Sequence, residues 1–191
     1  MQGKVQVSPG LLLLLPAALL LLPLRWVLAW VLAVVIHETG HYLAFRLCVI
    51  PIYGLRISPL GVLLQTGDLQ FRETLICALA GPLFALLFTV LSPIMPRVAL
   101  CIFFQSIFNL LPIYPLDGGR VMRVILLKFL SVRAACFVEW VMTALVFAAV
   151  IYVLYILKMG MVPILLVIVI FAQKFVANRD NTRYNRGEKR F

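Results

Sequence analysis

The stretch V31-L-A-V-V-I-H-E-T-G-H-Y-L-A-F45 sets two histidines and a glutamate inside an otherwise oily run. Ionisable groups are costly in such a place and need partners. His37 and His41 are four residues apart, so on a helix they stand one turn apart along the axis and about 40° apart around it. Both imidazoles can converge on one ion from a single face. Glu38 falls on the flank, where it can take a proton from an attacking water and need not bind the ion. Gly40 has no side chain, so another backbone can come close. The chain has only two histidines, and both are in this H-E-x-x-H pattern.

The surroundings of this stretch decide the fold class. Of 191 residues, 64% are apolar and 13% charged, with a mean hydropathy of +1.08. A soluble domain would be roughly half apolar and about a quarter charged. The apolar residues gather in six runs, near 8–24, 26–45, 74–94, 98–115, 134–157 and 161–177. The expected fold is therefore an all-α polytopic membrane protein of about six transmembrane helices. Residues 1–177 would form the integral-membrane domain and 178–191 a basic cytoplasmic tail.

Charge supports an orientation. With the N-terminus cytoplasmic, 14 of the 17 Lys and Arg residues fall on the inner side, leaving Arg25, Arg97 and Lys158 outside. That is the sense of the positive-inside rule, so both termini of a multi-pass cell-membrane protein are expected in the cytoplasm. The net charge of +10 follows from topology and calls for no nucleic-acid partner; the lipid bilayer is the partner that composition demands. The run from Leu11 to Phe45 would reach roughly 52 Å as one helix, against a hydrocarbon core of about 30 Å. Pro23 and Arg25 mark its turn. Its first half is expected to be an uncleaved span, because cleavage near Ala29 or Ala33 would cut into the histidine helix. Cys48, Cys77, Cys101 and Cys136 show no C-x-x-C spacing and read as small buried hydrophobes.

After the second run, Pro51, Gly54, Pro59, Gly61 and Gly67 punctuate two β-prone pieces, "IYGLRI" and "GVLLQ". A short re-entrant, hairpin-like segment is expected there. The fourth run ends in "FNLLPIYPLDGGR", where Pro112 and Pro115 break the helix and Gly118-Gly119 permit a tight turn. That turn holds Asp117. A catalytic zinc takes three protein ligands and leaves one position open. Among the other acids, Asp180 and Glu188 lie in the tail, Asp68 and Glu73 in a loop with arginines, and Glu139 beside Trp140 at an interface. Asp117 is the expected third ligand beside His37 and His41, with Zn²⁺ the expected metal.

"HETGH" on one span and "NLLPIYPLDGGR" on a later one together resemble the site-2 protease family of intramembrane zinc metalloproteases. "ALAGPL", residues 78–83, is similar to the glycine-proline motif of that family's intervening helix, although Ala85 stands where many members have asparagine. With six spans and no PDZ domain inserted between the motifs, the chain is most similar to the stage IV sporulation protein FB-type branch. The resemblance implies zinc on His37, His41 and Asp117, with Glu38 as general base and acid. It implies that Asn109 positions substrate or stabilises the oxyanion and that Pro112 and Pro115 contact the substrate strand. The implied partners are a membrane-embedded or membrane-tethered protein substrate, in sporulation a pro-sigma factor, and inhibitory or regulatory membrane proteins. Two alternatives stay open from the residues: a membrane zinc carrier or channel, and an inactive protease-like scaffold.

Overall fold

A computed structural model describes residues 4–7, 23–58, 61–67, 69–114 and 116–156. The sixth apolar run, the basic tail, nearly all of the first run, Asp68 and Pro115 lie outside the described residues. The chain divides into two units, residues 1–143 and 144–191. Within the second, the described residues 144–156 are the last turns of a helix.

Helix α1 spans Leu24–Leu47 and begins directly after Pro23. Its C-terminus is closed by Val49 N–H donating to Arg46 C=O and Ile50 N–H to Phe45 C=O. This doubly bonded exit requires a left-handed residue between them, normally glycine. Here it is Val49, at φ 56°. A β-branched side chain is strained in that region. Val49→Gly should therefore stabilise the fold by about 0.5–1 kcal/mol, the relief of strain being partly offset by the freedom glycine gains on unfolding. Thermal unfolding in detergent would show it, and an unchanged or lower midpoint would contradict it.

The Pro/Gly-rich stretch after α1 forms an antiparallel strand pair. Strands β2 (Ile52–Ser58) and β3 (Gly61–Thr66) are antiparallel, with an irregularity between Ile52 and Gly54. An unexpected third strand, β1 (Lys4–Val7), lies parallel to β2 with Lys4 opposite Gly54. The fold is thus mostly helical, and the strands form a three-stranded sheet in the order β1-β2-β3.

Helix α2 (Phe71–Leu87) is capped by Gln70, whose N–H donates to Glu73 Oε2 at 2.8 Å, so Glu73 works as a helix cap. A 3₁₀ turn, Phe88–Leu91, leads toward α3 (Pro96–Asn109). The fourth apolar run loses its helix before Pro112, in the stretch where the prolines were expected to break it. The helix ends at Asn109, and its 14 residues reach only about 21 Å. Helix α4 (Asp117–Phe129) follows the turn, and α5 (Val132–Ile156) ends the described chain.

Among the described residues, three helical stretches are long and apolar enough to cross a membrane: Leu24–Leu47, Phe71–Leu91 and Val132–Val153. Large apolar side chains such as Leu28, Leu87, Phe104 and Tyr155 are exposed along the helices, as a lipid-facing surface would require. What the helices bury against one another is small. On α1 the buried residues include Ala29, Ala33, Gly40 and Ala44, and on α2 Cys77, Ala78, Gly81 and Ala85. In lipid, close backbone approach and dispersion contacts hold helices together, and small residues permit both. Ala33, Ala85 and Ile102 meet where α1, α2 and α3 come together. Ala85 is 1% exposed and serves as a packing residue. A Cβ on Gly40 would stand 2.7 Å from the Ala80 carbonyl oxygen and from Phe84 Cβ, so the glycine sets the α1–α2 separation. This crossing positions the histidines.

Candidate metal centre

His37 and His41 point from α1 into the space shared with α2 and the start of α4. Both are buried, as is Asp117 in the first turn of α4. His37 Nε2 lies 3.1 Å from Asp117 Oδ2, and His41 Nε2 lies 3.2 Å from the same oxygen. The two Nε2 atoms are 3.1 Å apart. Three donor atoms from residues up to 80 positions apart thus form a nearly equilateral triangle.

A zinc ion with ligand bonds of about 2.0–2.1 Å in tetrahedral geometry separates its ligands by about 3.3 Å. The triangle fits one face of that tetrahedron. The protonation chemistry agrees. His41 Nδ1 is 2.7 Å from the carbonyl oxygen of Cys77, which can only accept, so Nδ1 carries the proton. In the neutral ring Nε2 is then a lone pair aimed at the triangle, the state a metal ligand needs. A carboxylate oxygen facing that lone pair would be repelled unless positive charge lies between them. The donor set therefore favours a cation, and its two imidazoles and one carboxylate suit zinc. His37 Nδ1 is buried with no hydrogen-bond partner among the described residues.

The remaining expected residues fall around this triangle. Glu38 is half-buried on α1, about 100° around the axis from His37. Asn109 closes α3, with its amide Nδ2 3.5 Å from His37 Nε2. Pro112 is half-buried in the turn between α3 and α4, and Pro115 lies outside the described residues. The double glycine has a packing reason. A Cβ on Gly118 would land on the Leu110 carbonyl, and one on Gly119 on the main chain of Ile113 and Tyr114. The Leu110–Tyr114 backbone thus lies directly on the first turn of α4 and delivers Asp117 to the histidines.

Two contributions were not read from the sequence. One is the Cys77 carbonyl that orients His41. The other is Gly81, where a Cβ would fall on the His41 ring at Nε2, so this glycine makes the room in which the ligand sits. The signal was present in the Gly81-Pro82 pair within a helical run, but its partner lies on another helix.

No protein-family profile matches the chain. A zinc metalloprotease of Methanocaldococcus jannaschii is 26% identical over 120 residues, covering 54% of this chain and 35% of that protein. The chain thus spans about a third of the length of this curated relative. The solved structure of the site-2 protease from Methanocaldococcus jannaschii superposes with a TM-score of 0.62 over 88% of each chain, at 21% identity. The fold is site-2-protease-like. Three of its described helices are long and apolar enough to cross a membrane, in keeping with that likeness.

Proposed function

We propose that the chain is an intramembrane zinc metalloprotease of the site-2 protease family that hydrolyses peptide bonds in membrane-embedded or membrane-tethered proteins. The observation that carries this reading is the buried His37–His41–Asp117 triangle, with Glu38 on the same helix. The likeness to a site-2 protease fold supports it. So does the name of the curated relative.

His37, His41 and Asp117 would hold the zinc. The ion, when bound, supplies Lewis acidity and brings the pKa of a water toward neutrality. Glu38 accepts the proton of the attacking water and returns it to the leaving amine, as a positioned carboxylate does in acid–base catalysis. The Asn109 amide donates toward the charge that develops on the scissile carbonyl oxygen. A helical substrate hides its carbonyls and must unwind before cleavage. Strand β3 is an edge of the sheet that can receive an extended substrate segment by main-chain pairing, and Pro112 and Pro115 would contact that segment. In this reading the hairpin re-enters the membrane beside the site.

The reading extends to the cytoplasmic side, with zinc near the inner leaflet and both termini inside. Two facts support it: the uneven split of Lys and Arg, and the pairing of β1 with β2, which sets residues 4–7 on the side where α1 ends. Sporulation and a pro-sigma-factor substrate form the finest layer, and they rest on motif resemblance to the stage IV sporulation protein FB-type branch. A zinc carrier would need ligands continuing through the spans. Among the described residues, the only group of three His, Cys, Asp or Glu side chains close enough to share an ion is His37, His41 and Asp117.

The test uses the full chain reconstituted in bilayers with a tagged single-span reporter whose apolar segment carries a helix-breaking pair. The wild-type chain should hold about one zinc and cleave, a chelator should stop cleavage, and added zinc should restore it. Asp117→Ala should lose both zinc and cleavage. Cleavage that persists in chelator, or an Asp117→Ala chain that keeps its zinc, would remove this reading.

A further inference from the structure

We propose that Arg123 is a positioning residue for Asp117, holding the metal-ligand turn to helix α5. The turn from Leu110 to Leu116 contains Pro112 and Pro115, neither of which can donate a main-chain hydrogen bond. Its described main-chain bonds include Leu110 N–H to Ser106 C=O, Leu111 N–H to Phe108 C=O, Ile113 N–H to Leu111 C=O and Leu116 N–H to Ile113 C=O. A turn that carries two prolines gains from side-chain support if it is to place a ligand oxygen to within a fraction of an ångström.

Arg123 supplies that support on two sides. Its guanidinium carbon lies 5.0 Å above the ring of Tyr114, within the range of a cation–π contact. Tyr114 is three residues before Asp117 and presses its main chain on Gly119. On the other side, Arg123 Nε is 3.7 Å from Glu139 Oε1, with the Glu139 side chain only 15% exposed. One planar cation thus spans α4, the ligand turn and α5. A guanidinium can stack on a ring face and meet a carboxylate at its edge at the same time, which an ammonium does less well. This also gives Glu139 a role: it anchors the arginine that holds the turn.

This inference rests on the metal reading of the triangle, and cobalt(II) binding to the full chain in detergent micelles tests it. Affinity comes from competition with a chromophoric chelator, ligand geometry from the visible absorption of the bound ion, and fold integrity from unfolding of the metal-free chain. Arg123→Ala and Tyr114→Ala should each weaken cobalt binding about tenfold, the scale on which partners of metal ligands act. Both should alter the visible band while leaving metal-free unfolding in place. Tyr114→Phe should behave as wild type, and Arg123→Lys should recover part of the affinity. The double variant Arg123→Ala/Tyr114→Ala should be no weaker than the worse single variant, because both remove the same contact. Wild-type affinity in Arg123→Ala would overturn the proposal while leaving the protease reading intact. So would a loss that only tracks lowered metal-free stability. A wild-type chain that takes up no cobalt would overturn both.

Discussion

Glu38→Gln should retain its zinc and lose between about 10² and 10⁴-fold in hydrolysis, the range that a positioned acid–base group contributes. The substitution keeps shape and hydrogen-bonding reach and removes only the capacity to take and return a proton. Zinc should stay because the three ligand atoms, on His37, His41 and Asp117, already form a closed face without Glu38. Metal content by mass spectrometry and turnover of the reporter are measured on the same preparation. A variant that still cleaves within tenfold of wild type would remove Glu38 from the mechanism. One that loses zinc would instead show that the carboxylate holds the site together.

Gly81→Ala adds a single methyl and should be nearly as damaging, by the opposite route. The new Cβ would overlap His41 Nε2, so either the imidazole leaves the triangle or α2 moves away from α1. If α2 moves, the bond from His41 Nδ1 to the Cys77 carbonyl goes with it. Zinc affinity should fall about a hundredfold, the upper end of what a ligand's lost support costs. Stability should fall by about 1–3 kcal/mol, as for other overpacked crossings. An alanine variant with wild-type zinc affinity would mean that the helices are not as close as described.

The parts of this molecule that sequence could reveal are those written in local periods. The four-residue spacing of His37 and His41 is readable because a helix repeats every 3.6 residues. The hairpin is readable because Pro51, Gly54 and Gly61 interrupt that repeat. Asp117 stood out through its neighbours, two prolines before and two glycines after. What sequence left dark is non-local. Strand β1 is four residues long, too short to show alternation, and finds its partner some fifty positions away. The end of α3 is marked by Pro112, although Leu110 and Leu111 carry the apolar run past its last helical residue. Arg123 looked like one of many inner-side positive charges, and only the fold sets it over Tyr114.

The bond between His41 and the Cys77 carbonyl has a consequence for how such a site can change over generations. The acceptor is a peptide oxygen, so no replacement of the Cys77 side chain deletes it. The imidazole's orientation is inherited with the path of α2 and not with any one codon at position 77. Mutational pressure on this support falls instead on Gly40 and Gly81, the residues that let the two helices touch. The chemistry of the centre is thus guarded by two positions that carry no functional group.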